Sequence, residues 1–177
     1  MVMWYPRGEA EPSKIFAFTE SSQFKLKPEL KEKLKRNHEI PDKVFGLRMS
    51  GTLNLLLKQK DKREQYNGKT LEQVLLPTLF PQDHSPTVFP FLVGESKSES
   101  SACSMQEIHQ QLAIVINESL LIQDNLRQAT GSTKWIAGPL VWCFVHRGSS
   151  WQVSAGYIPE GKKRVKVVSN LPPLERE

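Results

Sequence analysis

The chain is poor in cysteine. It has two, Cys103 and Cys143, which lie far apart without a Cys-x-x-Cys spacing. We therefore expect neither a structural zinc site nor a framework of disulfide bonds. Cys103 falls in a predicted loop and Cys143 in a predicted core strand, and we assign neither a chemical role.

Long apolar runs are also missing. No uninterrupted apolar stretch approaches 18 residues, so the sequence predicts no membrane-spanning helix. The opening residues MVMWYPRGEAEPSK lack the long apolar core behind a basic start that marks a signal peptide. These absences predict an intracellular protein with no membrane partner.

Two catalytic patterns are absent as well. The segment GSTKW lacks the spacing of a P-loop, and no order of Ser, His and Asp supports a hydrolytic triad. His109 has no second ligand four residues further along its predicted helix. We therefore expect it to be a solvated helix residue rather than a metal ligand.

What is present is typical of a folded domain. The 177 residues are 38% hydrophobic and 24% charged, which is sufficient for one domain with a buried core. The net charge of +5 permits a phosphate-bearing partner without requiring one.

Apolar patterning predicts an α/β arrangement. Strands are predicted at 14–18, 41–48 and 88–97, helices at 27–37, 52–59 and 70–80, and a β-hairpin at 139–158. We divide the chain into an N-terminal segment over 1–24, loose in part, a domain over 25–160 and a basic tail over 161–177.

The clearest helix follows Ser104. Ser104 and Glu107 have the spacing of a capping box, in which each side chain accepts a hydrogen bond from the other residue's backbone N–H. Apolar residues then recur every three or four positions from Met105 to Leu126. The sequence therefore predicts a long amphipathic helix between the strand at 88–97 and the hairpin.

The strand at 88–97 has an unusual end, because Gly94 is followed by the triplet Glu95-Ser96-Lys97. Side chains alternate along a strand, so Glu95 and Lys97 share one face. The triplet is either the point where the strand reaches water or one half of a site.

Together these segments resemble a known family. The run IPDKVFGLR, the strand FPFLVGESKSE, the helix beginning QEIHQQLA and the strand GPLVWCFVHRGSSWQV look like the PD-(D/E)xK nuclease-like domain widespread in filamentous fungi. That domain belongs to the restriction-endonuclease-like superfamily. The resemblance runs from about residue 40 to about residue 158. It implies a mixed central sheet flanked by helices, with a C-terminal β-hairpin.

The resemblance also implies a metal-dependent active site. Asp42 of the Pro-Asp motif and Glu95 would share Mg²⁺ or Mn²⁺, and the carbonyl of Ser96 would add a ligand. Lys97 would position or activate the attacking water and balance negative charge. Carboxylates that hold a hard divalent cation suit phosphodiester hydrolysis, which needs an activated water and a counter-charge. The expected function is a magnesium-dependent nuclease acting on DNA.

Other positions of the family pattern are less sharply defined. Gln111 stands where a family Gln often faces the site, but a polar residue at the edge of the apolar stripe is an equal alternative. The family usually has an acidic residue on the helix before the sheet, and Glu29 and Glu32 are both candidates. About fifty residues separate Asp42 from Glu95, so we expect an inserted helical section between them.

Basic residues supply a second indication of a nucleic-acid partner. A groove lined by them would hold a phosphate backbone, and the candidate residues are Lys31, Lys35, Arg36 and Arg48. For the first three, acidic residues that interrupt their cluster favour a solvated helix face instead. The run KKRVK at 162–166 resembles a nuclear-import signal, which leaves a nuclear location open.

The tryptophans do not add to this indication. Trp142 is predicted to lie in the core and Trp151 to cap the hairpin, so neither is expected to stack on bases. Two further functions stay open on the sequence alone. One is a catalytically inactive member that uses the fold to bind nucleic acid or protein, and the other is an interaction protein with no nucleic-acid role.

Overall fold

The computed structural model describes residues 15–20, 41–60, 68–79, 87–130, 138–159 and 165–168. These residues form an α/β structure with one mixed six-stranded sheet and three helices. The predicted helix at 27–37, with Glu29, Glu32, Lys31, Lys35 and Arg36, lies outside the described residues, and so do the first three residues of the KKRVK run.

The strands are β1 (Phe16–Glu20), β2 (Lys43–Arg48), β3 (Thr87–Lys97), β4 (Leu140–Arg147), β5 (Ser150–Tyr157) and β6 (Lys166–Val168). The helices are α1 (Gly51–Leu57), α2 (Leu71–Leu75) and α3 (Met105–Thr130). No helix in this described part of the chain is long and apolar enough to span a bilayer.

The order of strands in the sheet is the order in the chain. Neighbouring strands are antiparallel except for β3 and β4, which are parallel. Parallel neighbours need a long crossover connection, and α3 supplies it. The predicted succession of two strands, a long helix and a hairpin is confirmed.

The crossover helix begins as predicted. The Glu107 N–H donates to Ser104 Oγ at 3.2 Å, and the Ser104 N–H donates to Glu107 Oε2 at 2.6 Å. These bonds satisfy two of the amide groups that a helix start leaves without helical partners. They also lower the pKa of the Glu107 carboxyl.

One face of the sheet, the inner face, packs against α3. Val93 of β3 and Val141, Cys143 and Val145 of β4 are buried there, as alternation along each strand requires. Their partners on α3 include the fully buried Ile108, Leu112, Ile116 and Leu120. Burial raises the pKa of the Cys143 thiol to about 11, so the thiol is protonated and unreactive near neutral pH.

Gln123 joins α3 to the main chain of the two parallel strands. Its Nε2 donates to Pro90 O at 2.7 Å and to Leu140 O at 2.9 Å, and its Oε1 accepts from Leu140 N at 2.9 Å. A buried polar side chain is tolerated only when its hydrogen bonds are made. Gln123 meets that condition and fixes the helix along the strands.

The outer face of the sheet, opposite α3, corrects one prediction. Trp142 lies there with its side chain 40% exposed, so its assignment to the core is wrong. The β4 segment LVWCFVHR is apolar at nearly every position. Alternation alone therefore does not show which set of side chains the helix covers.

Two elements differ in extent from their predictions. The helix α2 ends at Leu75 instead of running to residue 80, because Leu76 has a left-handed φ of 48° and Pro77 follows it. The basic tail contains β6, which pairs with β5 from Ala155↔Val168 to Tyr157↔Lys166. The sheet thus draws on the N-terminal segment, the central domain and the tail.

Gly46 allows β2 to approach β3 closely. A Cβ at this position would lie 2.5 Å from Val88 O and 2.7 Å from Thr87 Cγ2. The carbonyl cannot move without shifting β3, so we expect Gly46→Ala to lower the free energy of unfolding by about 1–3 kcal/mol, as overpacking does. Urea denaturation measures this change.

Gly51→Ala is the matched control, because nothing lies within 4 Å of a Cβ at the start of α1. Its unfolding free energy should stay within about 1 kcal/mol of the unmodified chain, with alanine favouring the helix. An equal loss of stability in both variants would contradict the close approach at Gly46.

Candidate functional site

Strand register brings together two acids that are distant in the sequence. The start of β2 pairs with the end of β3 through Lys43↔Gly94 and Val44↔Val93. Asp42, one residue before β2, therefore lies beside Glu95. Pro41 precedes this aspartate and favours the extended conformation in which the chain enters the strand.

Two reciprocal hydrogen bonds hold the acids in place. The Asp42 N–H donates to Glu95 Oε2 at 2.9 Å, and the Ser96 N–H donates to Asp42 Oδ2 at 2.9 Å. Each carboxylate is thus bound to the main chain that carries the other. The Glu95 carboxyl group lies one hydrogen bond from the Asp42 main chain, and the Asp42 carboxyl group lies at most one side-chain length from the same main chain. The two carboxyl groups are therefore close together.

Lys97 completes the group as an ion pair. Its Nζ lies 2.5 Å from Glu95 Oε1, and the side chains of Lys97 and Glu95 are 30% and 3% exposed. Both project from the same face of β3, as the spacing of two residues requires. The triplet is therefore not simply a strand end in water, because its carboxylate is buried.

The environment shifts the pKa of both charged groups upward. Burial is the largest cause for Glu95, opposed by the hydrogen bond from Lys97 and reinforced by the negative charge of Asp42. The pKa of Lys97 rises mainly because it donates to Glu95. Lys97 is therefore an ammonium ion near neutral pH, suited to holding an anion or a water rather than to accepting a proton.

The raised pKa of Glu95 has a definite consequence for stability. The native chain binds the Glu95 proton more tightly than the unfolded chain, whose reference value is 4.5. The contribution of this residue to stability is therefore largest below that value and declines as the pH rises through its native pKa. Ionised Glu95 depends on Lys97 to offset part of this loss.

His146 is a neighbour that the sequence analysis did not identify. The parallel register pairs Ser96 with His146, and the Ser96 hydroxyl is hydrogen-bonded to His146 Nε2. The imidazole ring also stacks on Trp151, with 4.4 Å between centroids. The signal was its place at the end of β4, because parallel strands end at the same edge of a sheet.

In the described part of the chain, neither Gln111 nor His109 of α3 is hydrogen-bonded to the acids or to the lysine. Gln111 is half-buried on α3, and within the described residues no hydrogen bond joins it to Asp42, Glu95 or Lys97. His109 is also half-buried, and its Nδ1 is hydrogen-bonded to Met105 O at 2.8 Å. The expectation of a solvated His109 is wrong, because its Nε2 is buried.

Arg48 lies away from the acids. It ends β2 and pairs with Thr87, so five residue steps of about 3.3 Å, roughly 17 Å in all, separate it from the Asp42 end of the strand. The other candidate phosphate-binding residues, Lys31, Lys35 and Arg36, lie outside the described residues. The structure thus unites Asp42, Glu95, Ser96 and Lys97 and leaves Arg48 apart.

Carboxylate oxygens are the type of ligand that a hard divalent cation prefers. In the part of the chain that the structure describes, no cluster of three or more His, Cys, Asp or Glu residues could hold a metal ion. Magnesium, however, is commonly bound through one or two carboxylates and keeps several waters. The mutual repulsion of Asp42 and Glu95, which raises the pKa of Glu95, is a feature that a dication would relieve.

No protein-family model, curated protein or solved structure matches the chain. The resemblance to the PD-(D/E)xK nuclease-like domain therefore stays a prediction.

Removing the Lys97 ammonium should reveal how much the buried Glu95 carboxylate lowers the free energy of unfolding when it is unpaired. We expect Lys97→Met to lower the unfolding free energy at neutral pH by about 1–3 kcal/mol, because Glu95 loses its cation. The loss should shrink as the pH is lowered, since protonation of Glu95 removes the unpaired charge. Urea denaturation at several pH values tests both statements.

The exposed Lys69 provides a control, since Lys69→Met should leave stability nearly unchanged. The double variant Lys97→Met with Glu95→Gln should recover part of the lost stability, because neither charge then remains. A simple sum of the two single effects would show that the ion pair contributes nothing.

Proposed function

We propose that the chain is a magnesium-dependent nuclease-like protein that hydrolyses DNA phosphodiester bonds on a restriction-endonuclease-like fold. The observation that carries the proposal is the meeting of Asp42, Glu95 and Lys97 at one end of β3. The resemblance assigns the metal and the attacking water to these three residues. Residues fifty positions apart have no local reason to meet there.

The architecture supports the same proposal. The sequence predicts two strands bearing the acids, then a long helix, then a further strand. In the chain, β2 and β3 bear the acids, α3 crosses over, and β4 lies parallel to β3. The crossover explains why the carboxyl ends of β3 and β4 share an edge, where substrate-binding residues commonly collect.

Asp42 and Glu95 are the residues that would hold the cation. Three of their oxygens already accept bonds, namely Glu95 Oε1 and Oε2 and Asp42 Oδ2, but carboxylate oxygens have more than one acceptor site each. The Ser96 main chain is fixed beside them by its bond to Asp42. A bound magnesium ion would supply counter-charge for the phosphate and lower the pKa of water.

The protein's own residues have separable roles. Asp42 and Glu95 provide paired negative charge in a fixed geometry, since the strand register positions both. Lys97, kept protonated by Glu95, would orient the attacking water and offset charge that develops on the phosphate oxygens. Preorganised charges of this kind need little rearrangement when the reaction occurs.

One observation favours a second candidate, a non-catalytic binding module. The reciprocal bonds between Asp42, Glu95 and Ser96 would stabilise the β2–β3 pair even without a cation. In that case the acids are a structural clamp. Calorimetric titration with magnesium separates the candidates, because a clamp alone has no reason to bind the ion.

We expect purified chain to cleave DNA with magnesium and to lose this activity with chelator. Asp42→Asn and Glu95→Gln should each reduce cleavage at least about 100-fold and weaken magnesium binding, as the loss of metal ligands does. Lys97→Ala should reduce the rate by a similar factor while retaining most magnesium binding. Gel-based cleavage and calorimetry measure the two quantities.

Glu72→Gln is a suitable control, because Glu72 is an exposed acid on α2 away from β3. It should leave both cleavage and magnesium binding unchanged. Magnesium binding without cleavage on any DNA or RNA substrate would exclude the nuclease, and no magnesium binding would favour the clamp. Absence of any salt-dependent DNA affinity would point instead to a protein-interaction role.

A further inference from the structure

The outer face of the sheet carries an aromatic surface beside the acid pair. Trp142, Phe144 and His146 alternate along β4, and Trp151 of β5 pairs with His146 in the antiparallel register. We call these four residues the aromatic platform. Trp142 and Trp151 are 40% and 38% exposed, so a large part of each indole is accessible to a ligand.

Three of the four rings of the platform support one another. Phe144 and Trp151 lie 5.1 Å apart between centroids, and Trp151 and His146 lie 4.4 Å apart. Aromatic contacts at such distances hold each ring in a defined orientation. These three rings are therefore preorganised, which reduces the entropy lost when a flat ligand stacks on Trp151.

The surroundings of the platform favour an anionic partner. The strands β2, β4, β5 and β6 contain no Asp or Glu. Register places Lys43 and Lys166 on the outer face, at either side of the platform. Gly94 lies between Lys43 and Phe144 on this face and adds no side chain to the surface.

The platform ends at the strand end that bears the acids, although Glu95 and Lys97 lie on the opposite, inner face of the sheet. His146 is bonded to the Ser96 hydroxyl, and Ser96 lies between Glu95 and Lys97 on β3. Four residue steps from Trp142 to His146 span about 13 Å. A ligand that follows β4 therefore reaches the edge of the sheet at which Asp42 and Glu95 lie.

From these features we propose that the aromatic platform binds single-stranded nucleic acid, whose bases stack on Trp142 and Trp151 and whose backbone leads to the acid pair. Stacking of bases on aromatic rings within a basic surface is how proteins hold single strands without sequence preference. A duplex keeps its bases stacked on each other, so they cannot occupy the platform. This inference deepens the proposed function by naming its substrate class.

Binding is tested without metal, so that cleavage does not enter the measurement. Fluorescence anisotropy in chelator follows the full chain with labelled oligomers of about 12 nucleotides, within the range of single-strand sites. We expect oligo(dT) or oligo(U) to bind more tightly than a duplex of equal length. Preference between the two identifies the sugar that the site accepts.

Trp142→Ala and Trp151→Ala should each weaken single-strand binding about 5- to 100-fold, the range for the loss of one stacked base. Trp142→Phe and Trp151→Phe should retain most of the affinity. The salt dependence should be unchanged in all four variants, because the phosphate contacts stay. The control is Leu121→Ala, an exposed apolar residue on α3, which should bind like the unmodified chain.

Several results would overturn the proposal. They are equal affinity for single and double strands, unchanged affinity in the alanine variants, or self-association of the chain that the tryptophan substitutions abolish. The last would mean that a second copy occupies the face. Single-strand binding without magnesium-dependent cleavage would refute the nuclease but not the platform. Cleavage that is unchanged in the tryptophan variants would refute the platform but not the nuclease.

Discussion

The arrangement depends above all on the register between β2 and β3. Side chains alternate along a strand, so a slip of one residue would turn Glu95 and Lys97 to the outer face and remove Asp42 from its partners. The hydrogen bonds from Asp42 to Glu95 and from Ser96 to Asp42 oppose such a slip. The register irregularity between Phe45 and Leu47 lies further along the pair and leaves the acid end regular.

A buried, ion-paired carboxylate stabilises a pair of strands inefficiently, because removing its charge from water costs free energy. Burial raises the pKa of Glu95 despite the nearby ammonium of Lys97, which shows that the ion pair does not fully offset desolvation. Apolar residues of similar size often stabilise such positions equally well or better. Acids whose pKa is shifted by burial and by a specific partner are frequent at functional sites, which agrees with the proposed metal site.

Local chemistry explains which features could be predicted. The capping box of Ser104 and Glu107 and the shared face of Glu95 and Lys97 follow from short-range spacing, and the structure confirms both. The exposure of Trp142 and the contact of His146 with Ser96 depend on which face α3 covers and on the parallel pairing of β3 with β4. Those are long-range outcomes that apolar patterning within one strand does not encode.

Because side chains alternate along β3, the end of this strand presents different residues on the inner and the outer face of the sheet. Glu95 and Lys97 lie on the inner side, whereas Ser96 lies on the outer side in contact with His146. A flexible single strand stacked along β4 could bend around this edge and bring a phosphate toward the acids. A duplex, with a persistence length of about 150 base pairs, could not follow so sharp a turn. The stiffness of a duplex and the stacking of its bases on each other thus independently favour a single strand as the ligand of the proposed platform.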